Sequence, residues 1–134
     1  APSAGALYPL AVHVVDASGT WRYLPGSHAL VREAKGDRRA DVAAASYGQA
    51  AVRTAPVVLV ITAELAITAR KYGGRAERFA TLEAGHVAQN ILLEATALGL
   101  AAVPVGAFDD EQLRRAFDLG REATPLYLIP IGAP

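Results

Sequence analysis

The sequence predicts an α+β fold in which helices flank a central mixed or antiparallel sheet. The proline-free segment 75–100 carries apolar residues at the three- and four-residue spacing of a helix face. The segment 57–63 is apolar apart from Thr62, which is typical of a central strand covered on both faces. The elements run as strands, helix, strand, long helix, strand, helix and strand, and these mixed connections indicate a layered α+β architecture.

Composition sets the limits on function. The chain has 134 residues, which predicts one domain over 1–134, and 52% of them are apolar. Lys+Arg and Asp+Glu number 13 each, so no excess of positive charge indicates a nucleic-acid partner. The absence of cysteine excludes disulfides and thiolate metal sites. No apolar stretch reaches the roughly 18 residues of a membrane span, and we expect a cytoplasmic protein.

The first third of the chain alternates between glycine- and proline-rich turns and short strand-like runs. Residues 1–9 predict a loop, because two prolines, a glycine and a serine occur in nine positions. Apolar, aromatic and β-branched residues then predict three short strands, at 10–15, 20–24 and 28–33.

Two helical segments are predicted before and after the central strand. Asp37 can cap a helix over 38–46, and after an interruption at 47–49 a further helical turn can reach Arg53. After the strand at 57–63, residues 64–72 predict a short helix that ends at Gly73.

The long helix 75–100 has an unusual centre. Gly99 is suited to its C-terminal cap, because glycine adopts a left-handed conformation without steric cost. Its middle combines small residues with polar ones, including Glu83 and His86. Two interpretations stay open: a core helix with satisfied polar groups, and a helix that packs against a second subunit.

The remaining elements complete the sheet. Residues 101–105 predict a strand at an edge, because Pro104 cannot donate a ladder hydrogen bond. The acidic residues at 109–111 favour a helix start, and that helix is predicted to reach about Leu119 and to stop at Gly120. Residues 124–131 predict the last strand.

Familiar catalytic motifs are missing. His13, His28 and His86 lack metal-ligand spacing, so we predict no metal site, and His13 is expected to be a packed or edge-facing strand residue. The sequence contains no nucleophile elbow, no dinucleotide fingerprint and no Walker loop.

Two polar features remain. Lys71 and Tyr72 end the short helix, and a lysine partly desolvated beside a tyrosine can transfer protons; the alternative is a solvated surface pair. The strand end 103–108 leads into a loop at Gly106, whose free backbone N–H groups can face a ligand; the alternative is a purely structural turn.

Several segments together resemble the nitroreductase-like flavoproteins, and most closely the SagB-type azoline dehydrogenases that form thiazoles and oxazoles in peptides. The resemblance covers nearly the whole chain in family order. Its segments are PSAGALYP at 2–9, Gly48-Gln49 before APVVLVITA at 55–63, the long-helix segment 71–100, VPVGAFDDEQLRRAF at 103–117 and PLYLIPIGAP at 125–134.

The resemblance implies an FMN enzyme that works as a homodimer, with the flavin between subunits. It implies that Pro2, Ser3 and Ala4 touch the flavin of the partner subunit, and that Gln49 hydrogen-bonds the pyrimidine edge of the ring. The residues implied to line the ring are Pro104, Gly106 and Ala107, with loop N–H groups near its reactive nitrogen.

The same resemblance assigns the chemistry. Lys71 and Tyr72 match the lysine-tyrosine pair of the azoline dehydrogenases, in which a base removes a ring proton while hydride passes to the flavin. The substrate is then a modified peptide or another small molecule, with NAD(P)H as a candidate reductant. The family's arginine-rich phosphate-binding segment, which precedes PSAG, is absent, so we expect a domain without its amino-terminal part. A flavin-free scaffold or binding subunit of the same fold is the alternative, and an unrelated α+β domain is a third.

Overall fold

In the computed structural model, which describes residues 1–134, six strands form one sheet. The strands are β1 Leu10–Asp16, β2 Gly19–Leu24, β3 Ala29–Lys35, β4 Val57–Glu64, β5 Ala101–Ala102 and β6 Ala123–Gly132. Their spatial order is β3-β2-β1-β4-β6-β5, and every neighbouring pair is antiparallel. The α+β prediction is therefore confirmed, and its antiparallel form is the one observed.

Five helices cover the sheet. They are α1 Arg39–Ala45, α2 Ala50–Thr54, α3 Leu65–Tyr72, α4 Ala76–Ala97 and α5 Asp110–Phe117, with short 3-10 turns at Ala4–Ala6 and Gly73–Arg75. All five match predicted helical segments to within a few residues. None of them combines the length and the apolar character needed to cross a bilayer.

Strand β4 is central, as its apolar sequence predicts. Val58 and Val60 are fully buried in a cluster with residues of α1, α2 and α5. Ile61 is fully buried in a second cluster with Ala84 of α4. Because successive strand residues point to opposite faces, the two helical layers lie on opposite sides of the sheet. We name them the α1-α2-α5 layer and the α3-α4 layer.

Helix α4 packs on the sheet through small residues. Its fully or nearly buried apolar residues are all alanines: Ala76, Ala80, Ala84, Ala88 and Ala95. Leu82 and Leu98 also follow the apolar spacing of the helix, but they are 55% and 65% exposed in the single chain. Alanines bring the helix backbone close to the sheet, and the larger leucines therefore stay outside the core of a single chain.

The C-terminal cap of α4 is the one that the sequence predicts. Gly99 has a φ of 72°, and its N–H donates to the carbonyl of Thr96. The N–H of Leu100 donates to the carbonyl of Ala95 at 2.8 Å. This pair of bonds is a Schellman motif, which satisfies two of the carbonyls left free at a helix end.

Two predicted boundaries were wrong. Helix α5 ends at Phe117 rather than near Leu119, because Asp118 adopts a left-handed conformation, with a φ of 52°, before Gly120 is reached. The strand predicted at 101–105 is reduced to β5, which is an edge strand as predicted, plus an isolated bridge from Val105 to Leu128. Pro104 lies in the gap, where it cannot donate a ladder hydrogen bond.

Two glycines of the α4 region give a matched test of these conformations. Gly99→Ala should lower the free energy of unfolding by about 1 kcal/mol or more, because a Cβ disfavours the left-handed backbone. Gly85→Ala should raise it by up to about 1 kcal/mol, because alanine is the better helix former and a Cβ at Gly85 meets no atom within 4 Å. Urea unfolding of both variants measures the difference, and equal effects would contradict the assigned cap.

Candidate functional site

Gln49 joins two of the predicted site segments. It lies at the start of α2, in the α1-α2-α5 layer, and its amide nitrogen donates to the carbonyl of Ser46 at 3.1 Å. The same nitrogen donates to the carbonyl of Ala107 at 2.9 Å, across 58 residues of sequence. Both amide hydrogens are thereby used within the chain, whereas the amide oxygen accepts no protein hydrogen bond. Gln49 is therefore left with one free acceptor.

The loop that Gln49 contacts offers a row of free donors. The N–H of Val105 is paired with Leu128, and the N–H of Asp109 is paired with the carbonyl of Ala45. Between these anchors, the N–H groups of residues 106–108 make no hydrogen bond within the chain. Unpaired backbone N–H groups can donate to electron-rich ligand atoms. Gly106 and Ala107 are exposed and carry little or no side chain, so a flat ligand can approach this backbone closely.

Helix α5 holds the far end of this loop. Asp109 accepts the N–H of Gln112 at 2.8 Å and is the N-cap of α5. That backbone hydrogen bond lowers the pKa of the Asp109 carboxyl below its usual value. The acidic helix start predicted at 109–111 is confirmed, with Asp109 as its N-cap. This cap fixes where the loop of residues 106–108 ends.

A second group of predicted residues meets at the amino-terminal loop, in the α3-α4 layer. Ser3 Oγ donates to Glu83 Oε2 of α4 at 2.6 Å and accepts the N–H of Tyr8 at 2.9 Å. Pro2 is exposed and Ala4 is half-buried. The backbone N–H groups of residues 3–5 make no hydrogen bond within the chain, so this loop also presents free donors.

Lys71 and Tyr72 lie against the same loop. A Cβ on Gly5 would be 2.8 Å from the Tyr72 hydroxyl and 3.0 Å from Lys71 Nζ. Lys71 Nζ is 5.5 Å from the centre of the Tyr72 ring, and that ring packs edge-on against Phe79 at 4.8 Å. The expected desolvation of Lys71 is not seen in one chain: the residue is exposed, because it ends α3 beside Gly73.

The predicted residues therefore form two groups in one chain. Gln49, Gly106 and Ala107 belong to the α1-α2-α5 layer, whereas Ser3, Lys71 and Tyr72 belong to the α3-α4 layer. No hydrogen bond joins the two groups, and the sheet lies between the layers that carry them. Contacts within one chain therefore leave the two groups as separate parts of the candidate site.

Glu83 is a residue of this region to which sequence reasoning gave no role. It is 5% exposed, and its only hydrogen-bond partner is Ser3. The sequence signal for such a role was the position of Glu83 among the alanines of the long helix, because a carboxylate at a buried helix position needs a partner.

A polar cavity of about 300 Å³, lined by residues of both layers including Phe117 of α5 and Ile67 of α3, was missed by sequence reasoning. His13, 4% exposed, contacts Glu33 Oε2 through Nδ1 at 2.8 Å and Thr62 Oγ1 through Nε2 at 3.2 Å. His13 is thus a packed strand residue, as predicted, with both ring nitrogens partnered. No predicted site residue lines the cavity, and no group of three or more potential metal ligands occurs in the chain.

Comparison with known proteins assigns the family. A model of the nitroreductase family matches residues 1–133. A Methanocaldococcus jannaschii protein classed with the nitroreductases is 41% identical over 138 residues, which cover 98% of this chain and 68% of that protein. This chain belongs to the nitroreductase family.

Solved structures of other proteins, two of them described as nitroreductases, share the fold. A chain from Anabaena variabilis superposes with a TM-score of 0.94 at 27% identity, and one from Ralstonia eutropha with 0.88 at 28%. A chain of the E. coli microcin synthetase McbBCD complex with truncated pro-MccB17 bound reaches 0.90 at 26%. These matches cover 98 to 99% of the nitroreductase-family chain described here.

The chain spans only part of these structures. It covers 28% of the Anabaena chain, 61% of the Ralstonia chain and 55% of the microcin synthetase chain. The family resemblance inferred from the sequence is confirmed, together with its α+β fold. The roles of individual residues of this nitroreductase-family chain stay predictions.

Proposed function

We propose that this chain is the core of an FMN-dependent oxidoreductase that acts as a homodimer. The proposal depends on one observation: a free hydrogen-bond acceptor lies beside a row of free backbone donors. The amide oxygen of Gln49 accepts nothing within the chain, and the N–H groups of residues 106–108 donate to nothing within it. The hydrogen bond from Gln49 to Ala107 holds the acceptor and the loop together.

These groups fit an isoalloxazine ring. Its pyrimidine edge carries an N–H that Gln49 Oε1 can accept, and its ring nitrogens and carbonyl oxygens can accept from the loop. Pro104, Gly106 and Ala107 are exposed, and none carries a long side chain that would block a planar ring. FMN, when bound, supplies two-electron hydride transfer, while the protein sets its orientation and electrostatic surroundings.

The amino-terminal loop would complete the site from the second subunit. Pro2, Ser3 and Ala4 lie in the other helical layer, so they serve the flavin of the partner rather than that of their own chain. The Ser3 hydroxyl hydrogen is already given to Glu83, so the free backbone N–H groups of residues 3–5 are the donors that this loop offers.

Lys71 and Tyr72 are proposed to handle the proton of the reaction. Oxidation of an azoline to an azole removes a hydride and a proton from the ring, and the proton needs a base. Tyr72 in its phenolate form can be that base: its oxygen takes the ring proton and becomes the neutral hydroxyl, while the Lys71 ammonium lies beside the ring. In the opposite direction the pair returns a proton to a reduced product, with NAD(P)H as the proposed source of hydride.

Similarity to a chain of the microcin synthetase complex supports a modified peptide as the substrate class. Reduction of a small molecule is the second activity that the family suggests. The same fold without turnover, as a flavin-free scaffold, is the alternative that the experiments below separate from the enzyme.

Flavin uptake tests the observation that carries the proposal. The protein should bind added FMN and quench its fluorescence. Gln49→Ala should weaken binding by about tenfold, the value of one lost hydrogen bond of roughly 1.4 kcal/mol. Gln112→Ala removes an exposed amide outside the loop and should leave the affinity unchanged. A protein that binds no FMN would support the flavin-free scaffold.

Substitution of the proton-transfer pair tests the chemistry separately. Lys71→Met and Tyr72→Phe should each slow oxidation of a synthetic thiazoline peptide by about 100-fold or more, the usual contribution of general acid–base catalysis. Both variants should retain bound FMN, as judged by visible absorbance. Arg70→Met removes the neighbouring cation of α3 and should leave the rate near that of the wild type. Full activity of both pair variants would exclude the assigned role.

The exposed side of α4 supports the proposed dimer. Leu82 and Leu93, eleven residues apart, lie on one side of the helix and are 55% and 60% exposed. His86 and Gln89 lie between them on the same side and are also exposed. A stripe of this kind on a long helix is typical of a surface covered by another copy.

A charge in this stripe should separate the subunits. Leu93→Arg should convert a dimer into a monomer in analytical ultracentrifugation, because an arginine would be buried without a partner. FMN affinity should fall at the same time if the ring lies between subunits. Thr81→Arg places the same charge at an exposed position outside the stripe and should leave the dimer intact. A wild-type protein that is monomeric at all concentrations would contradict the proposal.

A further inference from the structure

The burial of Glu83 calls for a physical reason. Its side chain is 5% exposed, and the nearby helix positions Ala80 and Ala84 are almost fully buried. None of the ion pairs in the chain involves Glu83, and its carboxylate accepts one hydrogen bond, from Ser3. A buried carboxylate without a counter-ion is unfavourable. If packing alone mattered, a small apolar residue would serve better at this position.

The loop that Glu83 contacts has an unfavourable backbone. Between Ser3 and Tyr8 the chain adopts left-handed φ angles at Gly5 (62°), Ala6 (53°) and Tyr8 itself (50°). Residues with a Cβ resist this conformation. Ser3 Oγ closes the loop by accepting the Tyr8 N–H, and it ties the closed loop to α4 by donating to Glu83. The bond from Ser3 to Glu83 is therefore the polar tie between this loop and the helix.

The same loop lies directly against the proposed proton-transfer pair, Lys71 and Tyr72. The backbone at Gly5 approaches the Tyr72 hydroxyl and Lys71 Nζ so closely that an added Cβ would lie 2.8 Å and 3.0 Å from them. Lys71 is exposed, and neither its ammonium nor the Tyr72 hydroxyl makes a hydrogen bond within the chain. Contact with the loop therefore restrains the Lys71 ammonium and the Tyr72 hydroxyl.

We propose that Glu83 is a positioning residue that, through Ser3, holds the loop of residues 3–8 against Lys71 and Tyr72. It fixes where the two proton-transfer groups lie without touching them. The catalytic role of the contact between this loop and the pair depends on the proposed function. The contact itself needs no bound flavin, so it can be tested in the flavin-free protein.

The first test is made by NMR on the flavin-free chain. Glu83→Ala and Ser3→Ala should each speed hydrogen exchange of the Tyr8 amide by about tenfold or more, because its acceptor is lost or released. Both should shift the side-chain resonances of Lys71 and Tyr72. Glu83→Gln keeps an oxygen that can accept from Ser3 and should stay close to the wild type. Glu77→Gln, an exposed glutamate of the same helix, is the matched control.

The second test uses the flavin-loaded protein and the thiazoline peptide. Glu83→Ala should lower kcat by about tenfold and raise the solvent deuterium isotope effect on kcat, because proton transfer by a displaced pair becomes slower. Glu83→Gln should restore both values. The Ser3→Ala/Glu83→Ala double variant should be no worse than Ser3→Ala alone, because Ser3→Ala already removes the bond to Glu83.

The outcomes separate this inference from the proposed function. If the wild-type protein binds no FMN, the proposed function fails, while the NMR result still decides whether Glu83 holds the loop. If Glu83→Ala unfolds the chain, Ser3→Ala makes the same test from the loop side without altering α4. Unchanged Lys71 and Tyr72 resonances in a folded Ser3→Ala variant whose Tyr8 amide is released would overturn the inference.

Discussion

The structure depends on burial of strand β4 on both faces. Val58 and Val60 face one helical layer, and Ile61 faces the other, each without measurable exposure. Both layers exist because this strand offers an apolar surface on each side, and burial of such a side chain contributes about 1.5 to 3 kcal/mol. The remaining strands extend the sheet from β4, through β1 on one edge and β6 on the other.

This arrangement separates the two halves of the candidate site. The chain returns across the sheet several times, so Gln49 and the loop of residues 106–108 come together in the α1-α2-α5 layer. Ser3, Lys71 and Tyr72 come together in the α3-α4 layer, where α4 carries Glu83. Each half is well defined by contacts within one chain. In the proposed homodimer, each copy would supply one half to each of two equivalent sites.

Much of the fold was predictable because local signals and tertiary packing agree. Asp109 caps α5, Gly99 caps α4, and the apolar run of β4 occupies the centre of the sheet, as their sequences indicate. The errors arose where packing or backbone geometry departed from the pattern. Leu82 and Leu98 follow helix periodicity yet stay exposed, because the alanines of α4 are the residues that approach the sheet. Asp118 ended α5 early in a conformation that favours glycine.

The sequence by itself determined the α+β class, the central strand, the caps at Asp109 and Gly99 and the family, because each rests on local pattern or on a motif read along the chain. The cap predicted at Asp37 was wrong, because Arg38 is the N-cap of α1. Only the tertiary structure decided that Gln49 bonds Ala107, that Ser3 bonds Glu83, and that Gly5 lies against Lys71 and Tyr72. These contacts join residues 58, 80 and more than 60 positions apart. No local pattern encodes such pairs, because their distances follow from how the sheet stacks its helical layers.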